Sequence, residues 1–243
     1  MQDVPFSETL AAFNDNPLSL NWRVPGTWLL NKPSGPSSNV MVVRARKILG
    51  LQRIGHAGTL DPLASGLLLL LAGNATRLFD HMQTMTKSYI AGFRLGERRD
   101  SQDITGNIDE TFAPTARPPF AAESLAAALD RFRGDIQQTP PMHSALKKDG
   151  QPLYKLARKG VSVEREPRSA TVHRLAVLDF DGTSGMLAMT VSKGFYVRTL
   201  IDDLGLLLGC GAVMTSLVRS AIGPYRVEEA VDLDGLAGKI AEA

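Results

Sequence analysis

The chain has 243 residues, 44% of them hydrophobic and 21% charged, with a formal net charge of +2; it is long enough to bury a sizeable core, and too mildly basic for composition alone to announce a nucleic-acid partner. A single cysteine, Cys210, excludes an internal disulfide and a Cys-rich zinc site, and the four scattered histidines (His56, His81, His143, His173) never fall at H-x-x-x-H spacing, so neither a metal nor a nucleotide cofactor is expected where Walker and Rossmann glycine patterns are also missing. The N-terminus carries Asp3, Glu8 and Asp15 and lacks an apolar secretory core, which makes the cytoplasm the expected location.

Residues 1–25 read as an irregular or partly helical leader. Gly26 to Pro33 then forms a short apolar strand closed by proline and Ser-Gly-Pro turn signals. Ser37 or Ser38 can cap a helix that runs to Leu49, with Val42, Ala45, Ile48 and Leu49 on one face and Gly50 as its left-handed stop. Arg44, Arg46, Lys47 and Arg53 ride on or just after it.

The stretch from Gly55 to Leu71 is the most distinctive. Pro62 pushes Asp61 out of helical geometry, and Gly66 opens five consecutive leucines suited to a buried strand. An acid is thus presented on a stiff turn backed by core, either as a reactive group or as a side chain that bonds its own loop. A short helix is expected over Ala75–Gln83. Lys87–Gly96 alternates with period two, which predicts a half-buried strand with Tyr89, Ala91, Phe93 and Leu95 on one face.

Further along, Phe112–Phe120 is a proline-rich connector and Ser124–Arg133 an amphipathic helix stopped by Gly134. Between His143 and Arg174 eight Lys/Arg face three acids, an excess of five that exceeds the net charge of the whole chain. Basic charge interleaved with His143 and Tyr154 is the footprint of an RNA contact. Val172–Phe180 and Met186–Val191 form a hairpin around Asp181-Gly182, and Val197, Leu200, Ile201, Leu204 and Leu208 line the apolar face of a following helix.

Several of these segments carry a resemblance. His56-Ala57-Gly58-Thr59-Leu60-Asp61-Pro62-Leu63-Ala64-Ser65-Gly66 resembles the catalytic-aspartate motif of the bacterial tRNA pseudouridine synthase B (TruB) family. The other motifs follow in family order: Asn31-Lys32-Pro33 (Asn31 where Asp is usual), Lys87-Ser88-Tyr89 with Leu95-Gly96, and the Asp100–Gly106 loop. Pro140-Pro141-Met142-His143-Ser144-Ala145-Leu146-Lys147 follows, with His143 where Tyr or Phe is commoner, then Gly150–Gly160. Ser192-Lys193-Gly194-Phe195-Tyr196-Val197-Arg198-Thr199-Leu200 and Ser216-Leu217-Val218-Arg219 complete the series.

The resemblance implies an α+β pseudouridine synthase fold, a mixed, mostly antiparallel central sheet flanked by helices, with RNA-clamping insertions around 135–165. It implies a leader over 1–25, a catalytic domain over 26–225, and a tail over 226–243 too short for the PUA-like domain common in the family. The implied activity is isomerisation of uridine to pseudouridine at position 55 in the T-loop of tRNA, on a flipped-out base, by a monomer with no cofactor, metal, membrane or obligatory protein partner. Asp61 would attack the sugar or the base or stabilise a glycal, Arg198 would be its ion-pair partner, and Tyr89 would stack on the uracil. Tyr196 and Leu217 would line the uracil pocket, His56 would fill the stacking place the base vacates, and Lys193, Tyr154 and His143 would contact the RNA. Two other readings stay open: an RNA-binding module without chemistry, and isomerisation within another RNA guided by partner proteins.

Overall fold

The computed structural model describes residues 26–148 and 150–241; the expected leader lies outside the described residues. The chain divides into two compact units, one of residues up to Ile90 together with Leu217 onward, the other of Ala91–Ser216.

In the first unit, strand β1 (Thr27–Lys32) leads to helix α1 (Ser38–Leu49). Ser37 is the N-cap, its hydroxyl accepting from Val40 N, and Gly50 closes the helix in the left-handed region at φ 62°. Two strands follow, β2 (Ile54–Ala57) and β3 (Ser65–Ala72). The helix expected over Ala75–Gln83 is divided: a 3₁₀ segment covers Gly73–Leu78 and helix α2 covers Phe79–Thr84. No side chain caps the segment's start, and Thr76 Oγ1 donates back to Gly73 O at 2.8 Å, which holds the first turn tight. Strand β4 (Lys87–Leu95) then carries the chain into the second unit.

The second unit contains helix α3 (Ala122–Asp130), strand β5 (Gly134–Gln138), and a two-stranded ribbon of β6 (Lys147–Lys148) and β7 (Gln151–Pro152). Helix α4 (Leu153–Ala157), the long hairpin β8 (Arg168–Phe180) and β9 (Ser184–Val191), and helix α5 (Val197–Leu207) follow. Strand β10 (Ala212–Ile222) returns to the first unit, where β11 (Tyr225–Arg226), a 3₁₀ turn (Val227–Glu229) and helix α6 (Leu233–Ala241) end the described chain.

β3 is the axis of the first unit. It pairs antiparallel with β1 and β2 and parallel with β10. Its leucines divide by period two: Leu68 and Leu70 join Met41, Val42 and Ala45 of α1 and Leu236 of α6, while Leu67, Leu69 and Leu71 join Ala75, Met82, Ile222 and Tyr225. Both faces are therefore buried, which is why the run is continuous rather than alternating. Each such leucine contributes about 1.5–3 kcal/mol. The expected tail takes part in this core. Val231 bonds to β1 in both directions (Val231 N to Leu29 O at 3.1 Å, Asn31 N to Val231 O at 2.8 Å), covering that edge.

In the second unit the strand order is β10-β4-β9-β8-β5, with β8–β9 and β5–β8 antiparallel. Phe93 stacks on Phe180 with centroids 5.9 Å apart. β4 departs from the half-buried strand its alternation suggested: of its residues only Tyr89 and Arg94 are not buried. It is an interior strand, and Gly92 lets Thr215 and Ser216 close directly over it. Among the described residues, no helix is long and apolar enough to cross a membrane.

Candidate active site

Asp61 lies half-buried in the loop between β2 and β3. Ala64 N donates to Asp61 O at 3.1 Å, closing the turn around Pro62 and Leu63. The segment after β1 grips this loop. Ser38 Oγ donates to Leu60 O at 2.9 Å and accepts from Leu60 N at 2.8 Å; Gly35 N donates to Pro62 O at 2.8 Å, and Ser34 Oγ to Leu63 O at 2.8 Å. Ser37 having taken the helix cap, Ser38 is free to turn inward as this clamp. Arg219 of β10 donates from Nη2 to Gly58 O at 3.0 Å and from Nε to Leu67 O at 2.8 Å.

Among the described residues, three cations are buried in this unit: Lys32, Lys87 and Arg219. The Lys32 ammonium donates to Pro33 O at 2.9 Å and Pro36 O at 2.8 Å, with Pro62 O at 3.4 Å. Burial lowers its pKa to about 8; the Asp61 carboxylate pulls it upward and the Arg219 charge pushes it further down. His56 lies on β2, paired opposite Leu70 of β3. Burial lowers its pKa most, Arg219 adds to that, and a backbone hydrogen bond at Gly58 opposes it. The ring is therefore neutral at pH 7, and its Nδ1 is buried without a hydrogen-bond partner. A neutral, flat imidazole suits stacking better than proton transfer. Tyr89 is half-buried on β4, two residues after Lys87, whose ammonium donates to Gln83 O at 2.6 Å and Met85 O at 2.7 Å. Leu217 is buried on β10.

The remaining expected site residues lie in the second unit. Arg198, in the first turn of α5, is buried and held on three sides. Nη1 donates to Ser101 O at 2.8 Å, Nη2 donates to His143 O at 2.8 Å, and Nε lies 3.9 Å from Asp103 Oδ2. Asp103 is itself fixed by Ser101 Oγ at 2.9 Å and by Thr105 N at 2.9 Å. Asp202, one turn along α5, accepts both arms of Arg98 at 2.8 and 3.0 Å and the Gln102 amide at 3.0 Å. Gln102 adopts φ 64°, and its side-chain oxygen accepts from Thr199 Oγ1 at 3.1 Å. This polar frame ties the 98–105 loop to the helix that carries Arg198.

Tyr196 precedes α5, and its backbone is held at both ends by the Gln138 side chain, N to Oε1 at 2.9 Å and Nε2 to O at 3.1 Å. Lys193 is exposed in the β9–α5 loop. Tyr154 N donates to Ser144 O at 3.1 Å, and the Arg158 guanidinium lies 5.6 Å over the Tyr154 ring. Lys147, Lys148, Lys155, Arg158, Lys159 and Arg168 are all exposed on this insertion. Within this unit the fold thus joins Arg198 to the His143 backbone and, through Ser144, to Tyr154. Residues the sequence reading did not single out for the site are Lys32, Ser38, Gln138 and Arg219. The only local trace of them was Lys32 before Pro33 and Arg219 at the end of a motif. Among the described residues, no group of three or more His, Cys, Asp or Glu could hold a metal ion.

Residues 46–197 match the family model described as TruB family pseudouridylate synthase (N terminal domain), and residues 198–243 match the tRNA pseudouridylate synthase B C-terminal domain. The chain is 45% identical over 211 residues to the tRNA pseudouridine synthase B of Bordetella avium, covering 87% of this chain and 86% of that one. It is 45% identical over 215 residues to the corresponding protein of an Azoarcus species, covering 88% and 70%. Among solved structures it is similar to a chain of a Cbf5-Nop10-Gar1 complex, at 30% identity and a TM-score of 0.68, covering 88% of this chain and about half, 54%, of that one. With the motif order, the α+β sheet and these matches together, the chain belongs to the TruB family of pseudouridylate synthases.

Proposed function

We propose that the chain isomerises uridine to pseudouridine in the T-loop of tRNA, acting as a monomer without a guide or protein partner. The observation that carries this reading is the Asp61 loop. It is gripped from both flanks by hydrogen bonds, with the Lys32 ammonium bonded to the adjoining turn and 3.4 Å from Pro62 O. Such rigidity is what a reacting group requires and an ordinary surface turn does not.

The reaction breaks the C1′–N1 bond and forms C1′–C5. One proton leaves C5 and one is gained at N1, so nothing is oxidised and no water is consumed. The base must first leave its stack, at a cost of a few kcal/mol, and the neutral His56 ring fills the vacated place. Asp61 supplies the negative charge at the sugar–base junction, as nucleophile or as stabiliser of the separated fragments. Arg198 is assigned as its counter-ion, Tyr89 as the ring that stacks on uracil, and Tyr196 and Leu217 as the walls of the pocket. His143, Tyr154, Lys193 and the exposed lysines and arginines of 147–168 contact the RNA.

The test is release of tritium from C5-labelled uridine in a T-arm stem-loop. Asp61→Asn is expected to abolish release, and a ribosomal RNA fragment is expected not to react. Release that survives Asp61→Asn, or equal reaction of the ribosomal fragment, overturns the proposal.

A further inference from the structure

We propose that Arg219 is a positioning residue for Asp61: its guanidinium fills the gap where β3 changes partners, and so fixes the loop that carries the carboxylate. This rests on Asp61 being the reacting group. β3 keeps β1 along one edge from Gly66, opposite Lys32, to Leu71, opposite Thr27. Along its other edge it has two successive partners. β2 lies antiparallel opposite Leu69–Ala72, and β10 parallel opposite Ser65 and Gly66.

Between those registers, at Leu67 and Leu68, neither strand is in step, and there the Asp61 loop departs from the end of β2. A break in pairing leaves carbonyls without a strand partner, among them that of the buried Leu67. Arg219 meets this need with three nitrogens: Nε to Leu67 O at 2.8 Å, Nη2 to Gly58 O at 3.0 Å, and Nη1 to Thr59 O at 3.5 Å. Its side chain is 1% exposed. The guanidinium is thus a planar stand-in for a strand edge, joining β3 to the first two residues of the loop.

Glycine at 66 lets the Arg219 backbone close on β3, and Gly58 lies against the guanidinium. A Cβ on Gly66, at φ 97°, would run into the Arg219 backbone, and one on Gly58, at φ 94°, would lie 3.4 Å from Nη1. Beyond Asp61 the loop is pinned at Pro62 and Leu63, and just before it Ser38 holds Leu60. Arg219 is therefore what ties Gly58 and Thr59, the stretch between the end of β2 and Leu60, to β3. A lysine keeps the charge but has one nitrogen, which cannot reach all three carbonyls in a fixed fork.

The experiment uses the full chain with Arg219→Lys and Arg219→Gln, the lysine variant being the one read if the glutamine variant does not fold. Three quantities are measured: the single-turnover rate of tritium release at saturating T-arm stem-loop, the affinity for that RNA, and amide hydrogen exchange. The saturating rate is expected to fall by about 100-fold, the effect of misplacing a reacting group by around 1 Å, while affinity stays within about threefold. Exchange at Leu60 and Ala64 is expected to quicken by about tenfold or more while Leu68–Leu71 stay protected. A purely structural role would lower the melting temperature and leave the rate per folded molecule unchanged. That result, or unaltered exchange at Leu60 and Ala64, overturns the inference. If the unsubstituted chain releases no tritium, the proposed substrate fails, and the exchange measurement still decides whether Arg219 holds the loop.

Discussion

Replacing Lys32 with methionine should separate stability from activity. The ammonium is 0% exposed, and its pKa falls from 10.5 to about 8. That drop corresponds to about 3 kcal/mol by which burial disfavours the charged form at neutral pH. Against this stand the bonds to Pro33 O and Pro36 O. They are worth about 1–1.5 kcal/mol each, since those turn carbonyls are not fully buried. The two effects nearly cancel, so Lys32→Met should lie within about 1 kcal/mol of the unsubstituted chain at pH 7.

The pH dependence fixes the sign. Below about 8 both folded and unfolded chains hold the proton, and the full penalty applies. Between about 8 and 10.5 the unfolded chain still holds a proton that the folded chain has released, so stability from this group rises with pH. From pH 7 to 9.5 the unsubstituted chain should gain about 2 kcal/mol over the methionine variant, read by urea unfolding at each pH. Catalysis should move the other way. With the Lys32 cation gone from the turn that carries Asp61, tritium release should fall by about 10–100-fold at pH 7. In the unsubstituted chain, release should decline as pH rises through about 8. A stability difference that stays flat from pH 7 to 9.5 would refute this account of Lys32.

Three other perturbations test separate parts of the structure. Gly66→Ala forces a side chain into a left-handed backbone and against Arg219; it should cost more than about 2 kcal/mol in urea unfolding, and a cost under about 0.5 kcal/mol would contradict the close approach. Asp203 has its pKa raised to about 6, by burial first and then by Asp202, with Arg98 opposing. A carboxyl so shifted gives its stability at low pH and loses it as pH rises through about 6, so Asp203→Asn should be the more stable by about 2 kcal/mol at pH 7.5 and by little at pH 4. Equal differences at both pH values would count against it. Neutralising Lys147, Lys148 and Arg158 together should flatten the plot of log affinity against log salt by about two to three, near 0.7–0.9 per lost phosphate contact. An unaltered slope would remove this insertion from the RNA interface.

How much of this was legible depends on whether the determining contacts are local. Helix α1 could be read because its cap (Ser37), its apolar face and its stop (Gly50) lie within fourteen residues of one another. The β8–β9 hairpin was legible through Asp181-Gly182, where Asp181 Oδ1 accepts from Thr183 N at 2.8 Å and Ser184 N at 2.7 Å. The buried leucine strand was legible because five leucines leave no polar face. β2 and β10 were not read as strands, since each is defined by its pairing with β3 and not by alternation of its own. The C-terminal helix was hidden for a related reason: Leu236 packs on α1, and Val231 on β1, contacts that no local pattern announces.

Locality also decides which half of the site could be read. Asp61, between Leu60 and Pro62 and ahead of an apolar run, announces itself because a reactive acid needs a stiff local turn. The groups that hold it do not, because lysine and arginine are almost never fully buried unless paired, and in one dimension Lys32 and Arg219 look like any surface cation. What makes Arg219 burial tolerable is a set of carbonyls left over where β3 trades β2 for β10, and Leu67 is 152 positions away along the chain. A cation whose compensation comes from a break in strand pairing becomes visible only once the pairing is known. In the sequence, besides its place at the end of a motif, its trace is Gly66, an isolated glycine opening a leucine strand, where a propensity argument alone would have favoured a side chain.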